Sequence, residues 1–142
     1  MEFIKLYLDY FIFGTLGFMS FVMVWMIIER YIFYARIKLE NYTHPDELNI
    51  ALTNHLTVLS SIGANAPYIG LLGTVFGILV TFFDLGKAGG NIDPAAIMIG
   101  LSLALKATAV GLLVAIPAIL FYNALLRKVE VLTARWNQIQ AP

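Results

Sequence analysis

Two apolar stretches decide the fold of this chain: APYIGLLGTVFGILVTFF, from Ala66 to Phe83, and LKATAVGLLVAIPAILFYN, from Leu105 to Asn123. Each is long enough to cross a bilayer, for which roughly 17 to 25 residues are needed. Each also carries glycine, alanine and threonine at helical spacing. Because lipid tails are as apolar as leucine, membrane helices associate through close backbone approach and interhelical hydrogen bonds, which favour these small residues. The two stretches therefore predict membrane helices that contact other helices.

The composition is typical of a membrane protein. The 142 residues are 60% hydrophobic and 13% charged, whereas soluble domains average roughly 45–50% and about 25%. The formal net charge is zero, so the sequence gives no reason to expect a nucleic-acid partner. The chain has no cysteine, and His44 and His55 lack the spacing of metal ligands. We therefore expect neither a metal site nor a cofactor.

Charge-free runs predict an all-α membrane protein with one domain over residues 1–142. The three membrane helices are expected at about 10–28, 63–83 and 96–124, with a cytoplasmic segment at about 29–60 and a cytoplasmic tail at 127–142. The first run is longer than the apolar core of a signal peptide, so we expect a retained helix. The second and third helices should be long, should extend into the cytoplasm and should form an antiparallel hairpin.

Local signals place the ends of the two long helices. A helix is expected to start near Thr43, with Thr43 as its cap, and to run on into the second span if it is continuous. A glycine-rich turn from Gly86 to Gly90 should join the second helix to the third. Asp93 is placed to cap the third helix and Pro94 to open its first turn. The last residues, 138–142, are expected to fray.

Lysine and arginine predict the orientation, because positively charged short loops stay in the cytoplasm. Six of these residues lie on one side of the predicted spans and two on the other. The larger group comprises Arg30, Arg36, Lys38, Arg127, Lys128 and Arg135, and the smaller group Lys5 and Lys87. The N-terminus is therefore predicted outside and the C-terminus in the cytoplasm.

Small residues form one stripe on each long helix. The stripes comprise Gly70, Gly73 and Gly77 in the second helix and Ala107, Gly111 and Ala115 in the third. Spacings of three and four put each set on a single helix face. Such faces admit a neighbouring backbone, either within one hairpin or between subunits, and the sequence leaves both arrangements open.

Two threonines fall near the middle of the predicted spans. Thr74 and Thr108 lie roughly 15 and 22 Å from the outer loop at about 1.5 Å per residue. A lone threonine can bond the carbonyl of its own helix three or four residues back. Two hydroxyls at similar depth could instead line a polar pathway or donate to a carboxylate on another helix.

Three further residues of the spans stand out. Lys106 lies near the centre of the third span, where a lysine costs about 3 kcal/mol on insertion scales. It is expected to contact an adjacent subunit or an anionic lipid, unless its stem extends to the interface. Pro67 and Pro117 each remove a backbone donor and predict helix kinks.

Two blocks of the sequence resemble the MotA/TolQ/ExbB family. They are NAPYIGLLGTVFG at Asn65–Gly77 and ATAVGL at Ala107–Leu112, the latter followed by Ala115-Ile116-Pro117. With Glu29-Arg30-Tyr31 closing the first span, the resemblance covers all three helices. The residues of the two blocks resemble the ExbB branch more than the TolQ branch.

The resemblance implies a proton-channel or stator subunit in the bacterial inner membrane. A homo-pentameric ring would surround a single-span ExbD-like partner, pass proton-motive force to a TonB-like protein and contact membrane lipids. The family's pore-lining threonines correspond to Thr74 and Thr108, and protons are the implied transported ion. Many relatives carry a glutamate where this chain has Leu103, so that residue's role does not carry over.

Two other functions remain open at this point. A TolQ-type subunit would energise TolA for envelope integrity, and a scaffold would assemble through its small-residue faces without conducting. A MotA-type stator usually has a fourth span, which the length disfavours. No nucleophile–base pair or phosphate-binding loop occurs in the sequence, so an enzymatic function has no residues to support it.

Overall fold

The computed structural model describes residues 2–87, 89 and 93–141. All regular secondary structure in this part of the chain is helical. Helix α1 spans Glu2–Arg36, α2 Pro45–Thr53, α3 Leu56–Lys87 and α4 Pro94–Gln140, with a short 3-10 turn at Leu39–Asn41. Helices α1, α3 and α4 are each long and apolar enough to cross a membrane. The prediction of an all-α membrane protein with three long apolar helices is confirmed.

Helices α3 and α4 pair as an antiparallel hairpin, and α1 packs against both of them. At the start of α4 the Asp93 carboxylate accepts a hydrogen bond from the Ala95 amide at 3.1 Å, and Pro94 occupies the first turn. This is the expected cap. The predicted turn from Gly86 to Gly90 lies partly outside the described residues. We call the end of the hairpin that carries Lys87 and Pro94 the loop end.

A helix starts in the expected segment, at Pro45, but it does not continue into the second span. Helix α2 ends at Thr53 and α3 begins at Leu56, because His55 adopts a left-handed φ of 69°. The expected cap at Thr43 is also wrong. The cap of α2 is His44, whose Nδ1 accepts a hydrogen bond from the Asp46 amide at 3.1 Å.

Helix α4 continues to Gln140, into the segment that was expected to fray. Trp136 explains the difference, because its indole is buried and its Nε1 donates to the carbonyl of Tyr42 at 3.0 Å. One hydrogen bond and one buried aromatic ring thus tie the end of α4 to the connection between α1 and α2.

The core follows the line where α1, α3 and α4 meet. Its fully buried side chains include Leu16, Leu59 and Leu125. Large apolar side chains such as Phe18 and Leu113 point outward along the same helices. Contiguous apolar surface of this kind needs a membrane or partner helices to cover it, as expected for helices that cross a bilayer.

Candidate functional site

The hairpin seam, which is the contact between the small-residue faces of α3 and α4, has no room for side chains at its glycines. A Cβ added at Gly70 would lie 2.6 Å from the carbonyl oxygen of Ala107, and one at Gly111 would lie 2.7 Å from that of Ala66. Both distances are well below van der Waals contact. The two backbones therefore approach as closely as glycine allows.

The other predicted small residues lie along the same seam. A Cβ at Gly77 would lie 2.8 Å from that of Ala104, and one at Gly73 would lie 2.7 Å from that of Ala107. Ala115 is buried as well. The structure thus brings both predicted stripes together inside one chain. A contribution of these faces to subunit contacts stays a prediction.

Thr74 and Thr108 face each other across the seam. The Thr74 hydroxyl donates to the carbonyl of Ala104 at 2.9 Å and is hydrogen bonded to the Thr108 hydroxyl. Thr108 also approaches the carbonyl of Gly70 at 3.5 Å. Because a hydroxyl accepts while it donates, Thr108 can donate to Thr74 while Thr74 donates to Ala104. The two hydroxyls therefore form a short hydrogen-bonded chain between the helices.

The threonine pair lies at the edge of an exposed apolar strip. Thr74 is only 8% exposed, whereas Thr108 is half-buried. Helical spacing places Leu71 beside Thr74, and Leu105 and Leu112 beside Thr108, on the side away from α1. All three leucines are exposed. A helix lying on this strip, which we call the leucine strip, would reach the Thr108 hydroxyl.

Lys106 points away from the leucine strip, at about 200° from Thr108 around α4. Its ammonium lies 5.9 Å from the centre of the Phe13 ring, within the range of a cation–π contact. Contact with an adjacent subunit or a lipid stays a prediction. Pro67 and Pro117 are half-buried, and α3 and α4 continue through them. A kink at either proline also stays a prediction.

A second polar site lies near the C-terminal end of α1, around Arg30, for which the sequence predicted a cytoplasmic location and a part in the family resemblance but no contacts. Arg30 is only 2% exposed. It pairs with Glu29 through two contacts of 2.5 and 2.6 Å and donates to the carbonyl of Ala51 at 2.9 Å. The Phe33 ring lies 4.3 Å beneath it.

Tyr34, one turn further along α1, completes this site. Its hydroxyl donates to the carbonyl of Leu52 at 2.5 Å. Ala51 and Leu52 belong to the last turn of α2, whose carbonyls have no partner within the helix. Arg30 and Tyr34 therefore cap α2 from another helix. Together with Glu29, which pairs with Arg30, we call them the arginine cluster. The signal in the sequence was a charged pair directly after an apolar run, with a tyrosine one turn later.

The chain is similar to known proteins over most of its length. The family model of the MotA/TolQ/ExbB proton channel family matches residues 28–138. A biopolymer transport protein ExbB of Helicobacter pylori strain J99 is 54% identical over 137 residues, which are 96% of this chain and 94% of that protein. One of Aquifex aeolicus is 49% identical over 139 residues, 98% of this chain and 93% of that protein.

A match over a shorter part of the chain is found with a longer relative. A biopolymer transport protein ExbB of Neisseria meningitidis serogroup B is 50% identical over 78 residues. These residues make up 55% of this chain and 35% of the relative. The chain is thus similar both to relatives of about its own length and to longer proteins, of which the match covers only about a third.

Proposed function

This chain belongs to the MotA/TolQ/ExbB proton channel family, and from this membership we propose that it is the ExbB-type channel subunit of an energiser in the bacterial inner membrane. Its three apolar helices make it a multi-pass membrane protein. Together with a single-span ExbD-like partner, it would couple proton-motive force to a TonB-like protein that drives import across the outer membrane. The N-terminus would face the periplasm and the C-terminus the cytoplasm.

The observation that carries the proposal is the hydrogen-bonded pair of Thr74 and Thr108 beside the leucine strip. A partner helix on this strip would meet the half-buried Thr108 hydroxyl. A charged carboxylate on that helix could accept the single hydroxyl hydrogen of Thr108 if Thr108 no longer donates to Thr74. Thr74 could then donate to Thr108 in place of Ala104. Protonation would remove the charge of the carboxylate and make the apolar strip the better environment, because burial disfavours the charged form. Transfer of a proton would therefore change the position that the partner helix prefers.

The assembly that this mechanism needs is a ring. We propose a homo-pentamer in which the leucine strip of each copy faces the central partner. Lys106 lies on the far side of α4, over Phe13 of α1 in its own subunit, and a neighbouring subunit or lipid would cover this contact from outside. The exposed apolar residues of α1, Phe18 among them, would be covered in the same way. Protons are the transported ion, and the mechanism uses no cofactor.

Co-purification tests the partner. The chain is extracted from its native membrane in a mild detergent, and whatever binds it is identified by mass spectrometry. We expect a short single-span protein with an aspartate in its apolar span, itself associated with a TonB-like protein. A TolA-like associate would assign the chain to the TolQ branch instead. Recovery of the chain without such a partner, from membranes in which another complex stays intact, would contradict the proposal.

Paired valine substitutions test the threonines. Thr74→Val with Thr108→Val keeps the shape of both side chains and removes both hydroxyls. The matched control is Thr81→Val, because Thr81 is equally buried but bonds only the carbonyl of Gly77 in its own helix, at 2.9 Å. We expect energised uptake to fall on the order of 10-fold or more in the double variant, with normal uptake in the control and intact oligomers in both. Normal uptake in the double variant would favour the non-conducting scaffold.

A further inference from the structure

Helix α1 brings the carboxylate of Asp9 close to the level of Lys106. A Cβ at Gly73 would lie 3.0 Å from Ile12 of α1 and 2.7 Å from Ala107 of α4, so these three residues mark one level. Asp9 lies three residues before Ile12, and Lys106 one residue before Ala107. At about 1.5 Å per residue, the Cα atoms of Asp9 and Lys106 are separated by about 3 Å along the helix axes.

Both residues also border the same contact between α1 and α4. Phe13 follows Asp9 by one helical turn, and its ring centre lies 5.9 Å from the Lys106 ammonium. Asp9 itself lines the narrow cavity between α1 and the hairpin, opposite Leu103 and Ala107. Leu103 precedes Lys106 by one turn of α4. The two charged residues therefore flank one contact between α1 and α4.

The directions of the two side chains favour their approach. The N-terminal ends of α1 and α4 lie at the same end of the molecule, because Lys5 and Asp93 border one depression. Helical side chains lean toward the N-terminus of their helix, so Asp9 and Lys106 both lean toward the loop end. Among the described residues the ion pairs within 4 Å do not include Lys106. Rotation of its flexible stem would turn the ammonium from the Phe13 ring toward Asp9.

We propose that Asp9 is the charge partner of Lys106 within the same subunit, and that this pair holds α1 against α4 near the loop end. Both charges lie in helices that can cross a bilayer, where an unpaired lysine is costly and charged residues pair with one another. Lys5, one turn before Asp9, competes for the same carboxylate. Lys5 lies nearer the helix end and borders a depression that Asp84 and Asp93 also line, so it has other carboxylates nearby and Lys106 gains more from the pairing.

Cross-linking tests whether Asp9 and Lys106 lie close together. The sequence has no native cysteine, so only the introduced cysteines react. Asp9→Cys with Lys106→Cys is made in the full chain and treated in native membranes with a short thiol-reactive cross-linker. We expect a link within one subunit, identified by peptide mass spectrometry at monomer mobility. Asp9→Cys with Leu105→Cys is the control, because Leu105 is exposed and lies 100° away around α4. A link between two subunits, or equal linking in the control, would overturn the proposal.

Charge neutralisation tests the pairing itself. Asp9→Asn should lower the yield of detergent-stable chain about 5-fold, as expected for coupled residues in contact. Adding Lys106→Met to Asp9→Asn should restore the yield, because no unpaired charge then remains. Lys5→Gln should have little effect. The proposal fails if Lys5→Gln reproduces the loss, if Asp9→Asn behaves as the unsubstituted chain, or if the double variant shows no recovery. Recovery also separates lost pairing from simple misfolding.

Discussion

The hairpin seam and the arginine cluster bury polar groups by opposite means. In the seam, glycines bring two backbones together and two hydroxyls bond carbonyls in mid-helix, such as that of Ala104, which already accept main-chain hydrogen bonds. In the arginine cluster, a charged side chain bonds carbonyls at the end of α2 that have no partner in their own helix. The seam should therefore be sensitive to added volume, and the arginine cluster to the loss of a donor.

The largest effect is expected from added volume in the seam. Gly70→Leu should lower the free energy of unfolding by about 3 kcal/mol or more, the upper part of the range for overpacking. The reason is that the new side chain meets the backbone of Ala107 and Gly111, which cannot move aside as a flexible side chain can. Thermal unfolding in detergent, followed by circular dichroism, measures the loss.

Gly14→Leu is the matched control for this prediction. A Cβ at Gly14 meets nothing within 4 Å, and leucine has a higher helix propensity than glycine. We expect Gly14→Leu to unfold at or above the temperature of the unsubstituted chain. Equal losses of stability in Gly70→Leu and Gly14→Leu would show that the seam is packed less closely than these distances indicate.

The second effect is the loss of the donor in the arginine cluster. Arg30→Met keeps a long side chain but removes the hydrogen bond to Ala51 and the pair with Glu29. Hydrogen bonds of charged groups contribute about 1.5–3 kcal/mol, so we expect a loss of about 2–3 kcal/mol. Arg127→Met is the control, because Arg127 is exposed and pairs only with Glu130 on the surface of α4. It should change stability by less than about 1 kcal/mol.

A smaller effect should come from Tyr34, which shares the arginine cluster. Tyr34→Phe removes one hydroxyl and leaves the carbonyl of Leu52 with the longer Arg30 contact of 3.5 Å. We expect a loss of about 1 kcal/mol, together with faster amide hydrogen exchange around the break at Asn54–His55. Tyr10→Phe, on an exposed part of α1, should change neither quantity. Unchanged exchange in Tyr34→Phe would mean that the tyrosine does not hold the end of α2.

The sequence could predict the membrane helices because their signals are local. Runs of apolar residues set the lengths of the three helices, and Asp93 with Pro94 marks the start of α4. The break at His55 could not be predicted in this way. Its left-handed backbone, which histidine adopts more readily than most residues, accompanies hydrogen bonds from Arg30 and Tyr34, which are distant in sequence.

The relation between the two threonines was only partly predictable. Counting from Asp84 and Asp93 put them at depths that differ by roughly 7 Å. Helix α3 continues to Lys87 and α4 begins at Pro94, which are 13 residues from Thr74 and 14 from Thr108 respectively. The two hydroxyls are therefore level. The position of Asp9 beside α4 could not be predicted for a similar reason, because Asp9 precedes the first charge-free run although α1 extends beyond it to Glu2.

The smallest expected effect on stability is at the threonine pair. Replacement of both hydroxyls by Thr74→Val and Thr108→Val should cost less than about 1 kcal/mol, since both hydrogen-bonding partners disappear together and neither is left unsatisfied. Thr108→Val alone leaves Thr74 bonded to Ala104 and should also cost little. Thermal unfolding of the double variant beside Thr81→Val measures the difference.

Because this expected loss of stability is small, the uptake measurement can separate a role of the hydroxyls in transport from a role in the fold. If the double valine variant unfolds like the Thr81→Val control and uptake is lost, the hydroxyls act in transport and not in holding α3 to α4. If it loses as much stability as Arg30→Met, the pair is a structural bond of the hairpin. A loss of uptake would then follow from a weakened fold, and the seam and the arginine cluster would no longer differ in their dependence on polar contacts.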